Sequence, residues 1–315
     1  MGGHMTTTGI TDTGKRSKLD AFGAFLGSIV YRRRKLFNRS LESPPLREAV
    51  PATKLEVDSL DPGRWHEVKS AGPAGEFTAA YLVHRWVGPD RPSLIYIHGS
   101  GEHPRDFSRS ADNSFRRITE KQFDVDANLV LIMAPFHETT QGAYIDALGD
   151  LRNYVGMLAT AASLVDSLAK RLRDAGAPAV FGAGFSLGAW VLNLHRAFYS
   201  TGIDRYVPIC AGTKPDRIFV DSVYKGMVAP AARAQHEHLK EILDFESEFT
   251  ANKTDDCSPM LFRYDNLVDI GVHLPSYSGM QVEVIDKGHF AGQQAIAEMR
   301  AHILRATGLS AGTPS

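Results

Sequence analysis

The first two apolar stretches of the chain alternate with polar positions, and the later ones do not. Segments 66–70 and 76–86 carry polar residues between apolar ones, as in Phe77-Thr78-Ala79-Ala80-Tyr81-Leu82-Val83. That rhythm predicts strands with one wet face, suited to an antiparallel opening of a sheet. Segments 93–98, 128–134, 178–183, 206–211, 259–264 and 281–286 are nearly continuous apolar runs, such as Leu129-Val130-Leu131-Ile132-Met133. Strands covered by helices on both faces read this way. Between them, Leu148, Leu151, Val155, Leu158, Ala162, Val165, Leu168 and Leu172 recur at three- and four-residue steps. This predicts one apolar stripe along a long helix. Ile296, Met299 and Ile303 repeat the pattern after the last strand. The alternation predicts an α/β architecture: an eight-stranded, mostly parallel sheet with helices on both faces. In such sheets chemistry gathers at the carboxyl ends of the strands.

One segment breaks the alternation. Residues 214–258 are long and polar, with helical spacing at Leu239, Ile242, Leu243 and Phe249. They are expected to form a helical cap, or lid, within the same domain. The core then comprises 46–213 and 259–309. Residues 1–45 form an N-terminal extension of basic and apolar character, whose first four residues read as a cloning scar before Met5. Residues 310–315 read as a disordered tail.

Composition narrows the function classes. At 315 residues and 43% hydrophobic content the chain can bury one substantial core. The formal net charge is −1, which lacks the basic footprint of a nucleic-acid binder. Two cysteines, Cys210 and Cys257, make neither a disulfide framework nor a metal cluster, so a reducing, cytoplasmic setting is the default. The apolar run 21–30 is too short to span a bilayer. It is followed by Arg32-Arg33-Arg34-Lys35 without a small-residue cleavage site, which argues against a secretory signal. Residues 21–35 suit peripheral contact with an anionic membrane. Packing against the body or against a second copy, as a homodimer, is the competing expectation.

The strongest local signal is Gly184-Phe185-Ser186-Leu187-Gly188, with an apolar strand before it and a helical pattern after it. A serine raised on a tight strand-to-helix turn needs small neighbours two positions away on each side. The competing reading is a plain glycine-rich turn. A second signal is Ile97-His98-Gly99-Ser100-Gly101, a strand ending in a small-residue loop. Acyl transfer places negative charge on a carbonyl oxygen, which two backbone N–H groups can hold. Leu187 and Ser100 are the expected donors. His98 is expected to brace its loop, while Glu102 and His103 either line the pocket or face solvent.

A serine hydroxyl needs a base. His289 stands in the loop between the last strand and the last helix, where a base belongs. A buried carboxylate must fix its far nitrogen. Asp265 lies nearest the end of the preceding strand, with Asp269 and Asp216 as alternatives. Phe185, Trp190, Phe245 and Phe249 are candidates for an apolar substrate pocket, with ordinary core packing the alternative for the last three.

With these residues in view, the chain resembles the α/β-hydrolase superfamily over about residues 60 to 309. The order Ser186, Asp265, His289 is similar to its serine–acid–histidine order. Gly184–Gly188 resembles its nucleophile elbow, and His98–Gly101 its oxyanion loop. The resemblance implies a serine hydrolase that forms an acyl-enzyme on a small-molecule acyl substrate, without metal or organic cofactor. A carboxylic ester is the first expectation. Thioesterase, lactonase, amidase, acyltransferase or hydroxynitrile-lyase chemistry uses the same parts, and a hydrolase-shaped binding protein without turnover is the rival from another class.

Overall fold

The computed structural model describes residues 34–309, except 121–122, 200–201 and 253. The expected disordered tail and the stretch 21–33 lie outside the described residues.

All eight expected strands form one sheet: β1 (Trp65–Gly72), β2 (Gly75–Arg85), β3 (Ser93–Ile97), β4 (Asn128–Met133), β5 (Val180–Phe185), β6 (Arg205–Ile209), β7 (Met260–Phe262) and β8 (Glu283–Ile285). Their order across the sheet is β1-β2-β4-β3-β5-β6-β7-β8. β2 runs antiparallel to both neighbours, and every later pair is parallel. The alternating strands are thus the antiparallel ones. The continuous runs of β3 and β4 are buried at every position.

One group of helices comprises α1 (Leu46–Ala52), α4 (Leu151–Asp174) and α5 (Leu187–Phe198), which pack on one another, with α4 and α5 also against the central strands. A second pair, α2 (Ser114–Thr119) and α12 (Ile296–Thr307), packs together, with α12 against β6. The first connection of the α4 region differs from expectation. The apolar stripe begins at Leu148, yet a short α3 (Gln141–Ala147) ends there and α4 starts only at Leu151. The carbonyls at the break are taken by another segment: Phe37 N–H donates to Leu148 O and Arg39 N–H to Gly149 O, each at 2.9 Å.

That segment, residues 34–41, is a strap. It joins the α3–α4 break to the insertion after β6, where Leu36 N–H donates to Met227 O and Ala229 N–H to Leu36 O. Arg39 ion-pairs with Asp150 at 2.7 Å. Phe37 is buried at φ 58° and meets Phe219 and Tyr154 edge-on, at 4.8 and 6.0 Å between centroids. Arg34 pairs with Asp146, and Lys35 donates to Gly226 O. The basic run thus turns its last two residues toward the protein.

The insertion holds α6 (Asp216–Val220), a 3-10 turn at Val223–Met227, α7 (Pro230–Ala234), α8 (His236–Leu243) and α9 (Glu246–Ala251). It divides in two. The first part packs beneath the strap, while α9 lies against α5 and α8 against α6 and α1. Among the described residues no helix is long and apolar enough to cross a membrane.

The strap's hold rests on Phe37. Phe37→Ala should lower unfolding stability by about 3 kcal/mol, read from urea denaturation. A loss below about 1 kcal/mol would mean that the aromatic cluster closes without it.

Candidate active site

The strand β5 ends at Phe185, and α5 begins at Leu187, so one residue makes the turn. That residue, Ser186, has φ 50° and ψ −107°. Its N–H donates to Ile209 O of β6 at 2.8 Å. The flanking glycines are needed for close approach. A Cβ on Gly184 would lie 2.6 Å from the Gly188 carbonyl carbon. A Cβ on Gly188 would lie 2.6 Å from the Ile97 carbonyl carbon. The second glycine is therefore small because β3 passes beside it, which the turn alone does not require.

Ser186 Oγ stands 3.3 Å from His289 Nε2. His289 opens the one-turn α11 (His289–Gly292), just beyond β8. Its Nδ1 lies 2.7 Å from Asp265 Oδ2. Asp265 follows β7 by three residues, and its other oxygen accepts from the N–H groups of Leu267 and Val268 at 2.7 and 2.8 Å. Burial opposes the charge, but His289 and these hydrogen bonds outweigh it and hold the Asp265 carboxyl below its ordinary range. Asp269 and Asp216 are occupied elsewhere. Asp269 caps α10 (Ile270–His273) by accepting from Gly271 N–H at 2.8 Å. Asp216 opens α6, where burial pushes its carboxyl up to about 6.

The loop after β3 is braced from beneath. Gly99 N–H donates to Glu102 Oε1 at 2.8 Å, and Gly101 N–H to His137 Nε2 at 3.2 Å. Between them, Ser100 N–H has no protein acceptor among the hydrogen bonds of the described residues, and the Ser100 hydroxyl meets Tyr144 OH at 2.7 Å. Leu187 N–H, at the first position of α5, has no acceptor within its helix. These two N–H groups are available for an oxyanion. His98 Nδ1–H donates to Gly99 O at 2.7 Å, and its Nε2 accepts from Ala134 N–H at 3.1 Å. This fixes a neutral ring that braces rather than reacts. Burial pushes its pKa down to about 4. His137 is held neutral the same way, well below its usual range.

An apolar cavity of about 100 Å³ opens at Ser186 and His289. Phe185 and Trp190 line it, as do Leu36 of the strap, Tyr144 of α3, and Ile218 and Phe219 of the insertion. Phe245 and Phe249 do not line it, which corrects their assignment to the pocket. Both are fully buried on the flank of the insertion. Phe249 packs edge-on with Tyr277 and under the Arg196 guanidinium, and Phe245 faces Phe198 of α5. Their helical spacing marks burial but not which surface they cover. Glu102, expected to line the pocket or face solvent, and His137 carry the loop. The terminal position of His98-Gly99-Ser100-Gly101-Glu102 was the available signal for Glu102, and His137 had none.

Among the described residues, one grouping of three donor-type side chains is close enough to hold a metal: Cys210, Asp265 and His289. Their donor atoms are hydrogen-bonded to one another at 2.7–3.4 Å, an arrangement for sharing protons.

No protein-family model matches the chain, and no curated protein matches it. Solved structures do. Acetyl xylan esterase 1 from Thermoanaerobacterium is similar at 15% identity, covering 87% of this chain and 98% of that one, with a TM-score of 0.50. Est1E from Butyrivibrio proteoclasticus, with ferulic acid bound, is similar at 14% identity over 74% and 96%, with a TM-score of 0.52. An esterase from Pyrococcus furiosus is similar at 13% identity over 86% and 98%, with a TM-score of 0.51. At these identities the likeness is one of fold.

The buried neutral histidines set a pH dependence. His98 at about 4 and His273, pushed by burial to about 3, lie below the unfolded value of about 6.5. The unfolded chain therefore gains protons first, and stability falls as pH drops from about 6.5 toward 4. Glu102, raised by burial, works in the opposite direction. The His98 share is on the order of 3 kcal/mol. Urea midpoints measured from pH 7 to 4 should fall, and less steeply in His98→Asn. A flat profile would contradict the neutral, buried assignment.

Proposed function

We propose that this chain, whose fold is that of the α/β-hydrolases, is a serine hydrolase that cleaves a carboxylic ester through an acyl-enzyme. The observation that carries the reading is the alignment of Ser186 Oγ, His289 and Asp265 at 3.3 and 2.7 Å. Leu187 and Ser100, whose N–H groups lack a protein acceptor, line the same cavity as Ser186.

In this reading neutral His289 takes the Ser186 proton as the oxygen attacks the ester carbonyl. The imidazolium is stabilised by Asp265, which keeps its own charge. The Leu187 and Ser100 N–H groups hold the oxyanion, each such donor being worth about 3–4 kcal/mol of barrier. His289 then protonates the leaving alkoxide, and the acyl group stays on Ser186. Water, deprotonated by His289, attacks the acyl-enzyme, and His289 returns the proton to the Ser186 oxygen as the acid leaves. The 3.3 Å serine–histidine distance is loose for a hydrogen bond, as is common before substrate tightens a site. The 12-residue α5 adds a positive end at the same place.

The test is hydrolysis of p-nitrophenyl esters. Wild type should turn over, with activity lost in mild acid as His289 takes a proton. Ser186→Ala should be inactive, and Asp265→Asn should lose about three to four orders of magnitude in kcat. Equal turnover by Ser186→Ala would refute the reading. The same assay addresses acyl size. Leu36 forms one wall of the cavity, so Leu36→Ala should raise the rate on longer acyl chains relative to acetate by about tenfold. An unchanged chain-length profile would remove the strap from the acyl pocket. Turnover of thioesters, lactones or amides ahead of esters would shift the substrate class and leave the machinery in place.

A further inference from the structure

A fully buried thiol, unused in the cycle above, touches the acid of the site. Cys210 follows β6 directly and has 0% exposure. Its Sγ lies 2.7 Å from Asp265 Oδ2, the same oxygen that receives His289 Nδ1–H at 2.7 Å. The sulfur is also 3.4 Å from that ring nitrogen. Asp265 therefore accepts four hydrogen bonds: two backbone N–H groups on Oδ1, and the thiol and the imidazole on Oδ2. Cys210 also holds φ 66°, a left-handed conformation that a residue with a Cβ rarely adopts. Its N–H is anchored to Met260 O at 2.8 Å. The backbone thus aims the side chain at the carboxylate at some cost.

We propose that Cys210 is a positioning residue of this site, whose thiol shares the Asp265 oxygen that orients His289 and so tempers the pull of the carboxylate on the imidazole. The inference rests on the serine-hydrolase reading of the same residues and deepens it. A carboxylate oxygen with two donors offers less negative charge to each. The imidazolium that forms during attack is then stabilised less than it would be by an undivided oxygen, and the resting ring stays neutral to lower pH. Without the thiol the ring should bind its proton more tightly, and the acid limb of the pH–rate profile should move up. Beside the Asp265–His289 pair stand Ser186 on the elbow and His273 on α10, which feels the Asp265 charge and, from the insertion, those of Lys214 and Arg217. All of them stay unchanged in the variants below.

The experiment compares wild type with Cys210→Ala, Cys210→Gly and Cys210→Ser in the full chain. Gly suits the left-handed backbone, so it reports on the thiol even if Ala fails to fold there. Two quantities are read: the acid limb of kcat/KM for ester hydrolysis, and the titration of the His289 imidazole by NMR. Ala and Gly should raise both midpoints by about half a pH unit. Near the limb that is about a threefold loss of kcat/KM. Ser, which keeps a donor, should restore the wild-type midpoints. A packing role alone would lower the urea midpoint of the variants and leave both titrations in place, and that result would overturn the proposal. If wild type hydrolyses no ester, the ester reading fails, while the imidazole titration still reports whether the thiol acts on His289.

Discussion

Ser186 is held at φ 50° and ψ −107°, and the rest of the site is arranged around that constraint. A residue with a Cβ does not rest there unless its surroundings fix it. Three strands do so. β5 delivers the serine, β6 accepts its N–H through Ile209 O, and the end of β3 accepts the Gly188 N–H through His98 O at 3.0 Å. Gly184 and Gly188 allow these backbones to meet. The result is a hydroxyl on a tight turn, with the amino end of α5 beneath it and two uncommitted N–H groups beside it.

The same crossing explains the chemistry of the neighbours. His98 anchors the elbow through its carbonyl and the oxyanion loop through its ring. Such a ring must be neutral, since one nitrogen donates and the other accepts, and burial keeps it so. Glu102 takes three donors at once, from Gly99 N–H and from the N–H and hydroxyl of Ser114. Buried polar groups of this kind are costly unless fully bonded. Their bonding leaves Ser100 N–H as the free donor of its loop. On the other side, Asp265 is saturated in the same fashion, which keeps it charged in a buried place.

Much of this was legible in the chain. Unbroken apolar runs against alternating ones separated the parallel strands from the antiparallel β2, because burial on two faces leaves no room for polar positions. The glycines around Ser186 and the loop placement of His289 reflect local backbone demands, which sequence records directly. Nearness to the end of β7 favoured Asp265, but spacing alone did not exclude Asp216 or Asp269. The choice depends on which turn after β7 aims a side chain inward, and Asp269 is used as a cap instead. Phe245 and Phe249 misled because periodicity reports burial without naming the partner surface. Leu36, Phe37 and His137 left no signal, since the strap and the brace are contacts between segments far apart in sequence. Cys210 closes the apolar run Val207-Pro208-Ile209, where an ordinary buried thiol would also sit, and only its backbone twist and the nearness of Asp265 separate it from one.

The central claim is that Ser186 is an activated nucleophile. Intact-mass analysis after treatment with a fluorophosphonate, on wild type and on Ser186→Ala, tests it most directly. The account predicts one adduct on wild type, mapping to Ser186 and missing from the variant. Folded wild-type protein that takes up no label, or a variant that labels equally, would contradict it.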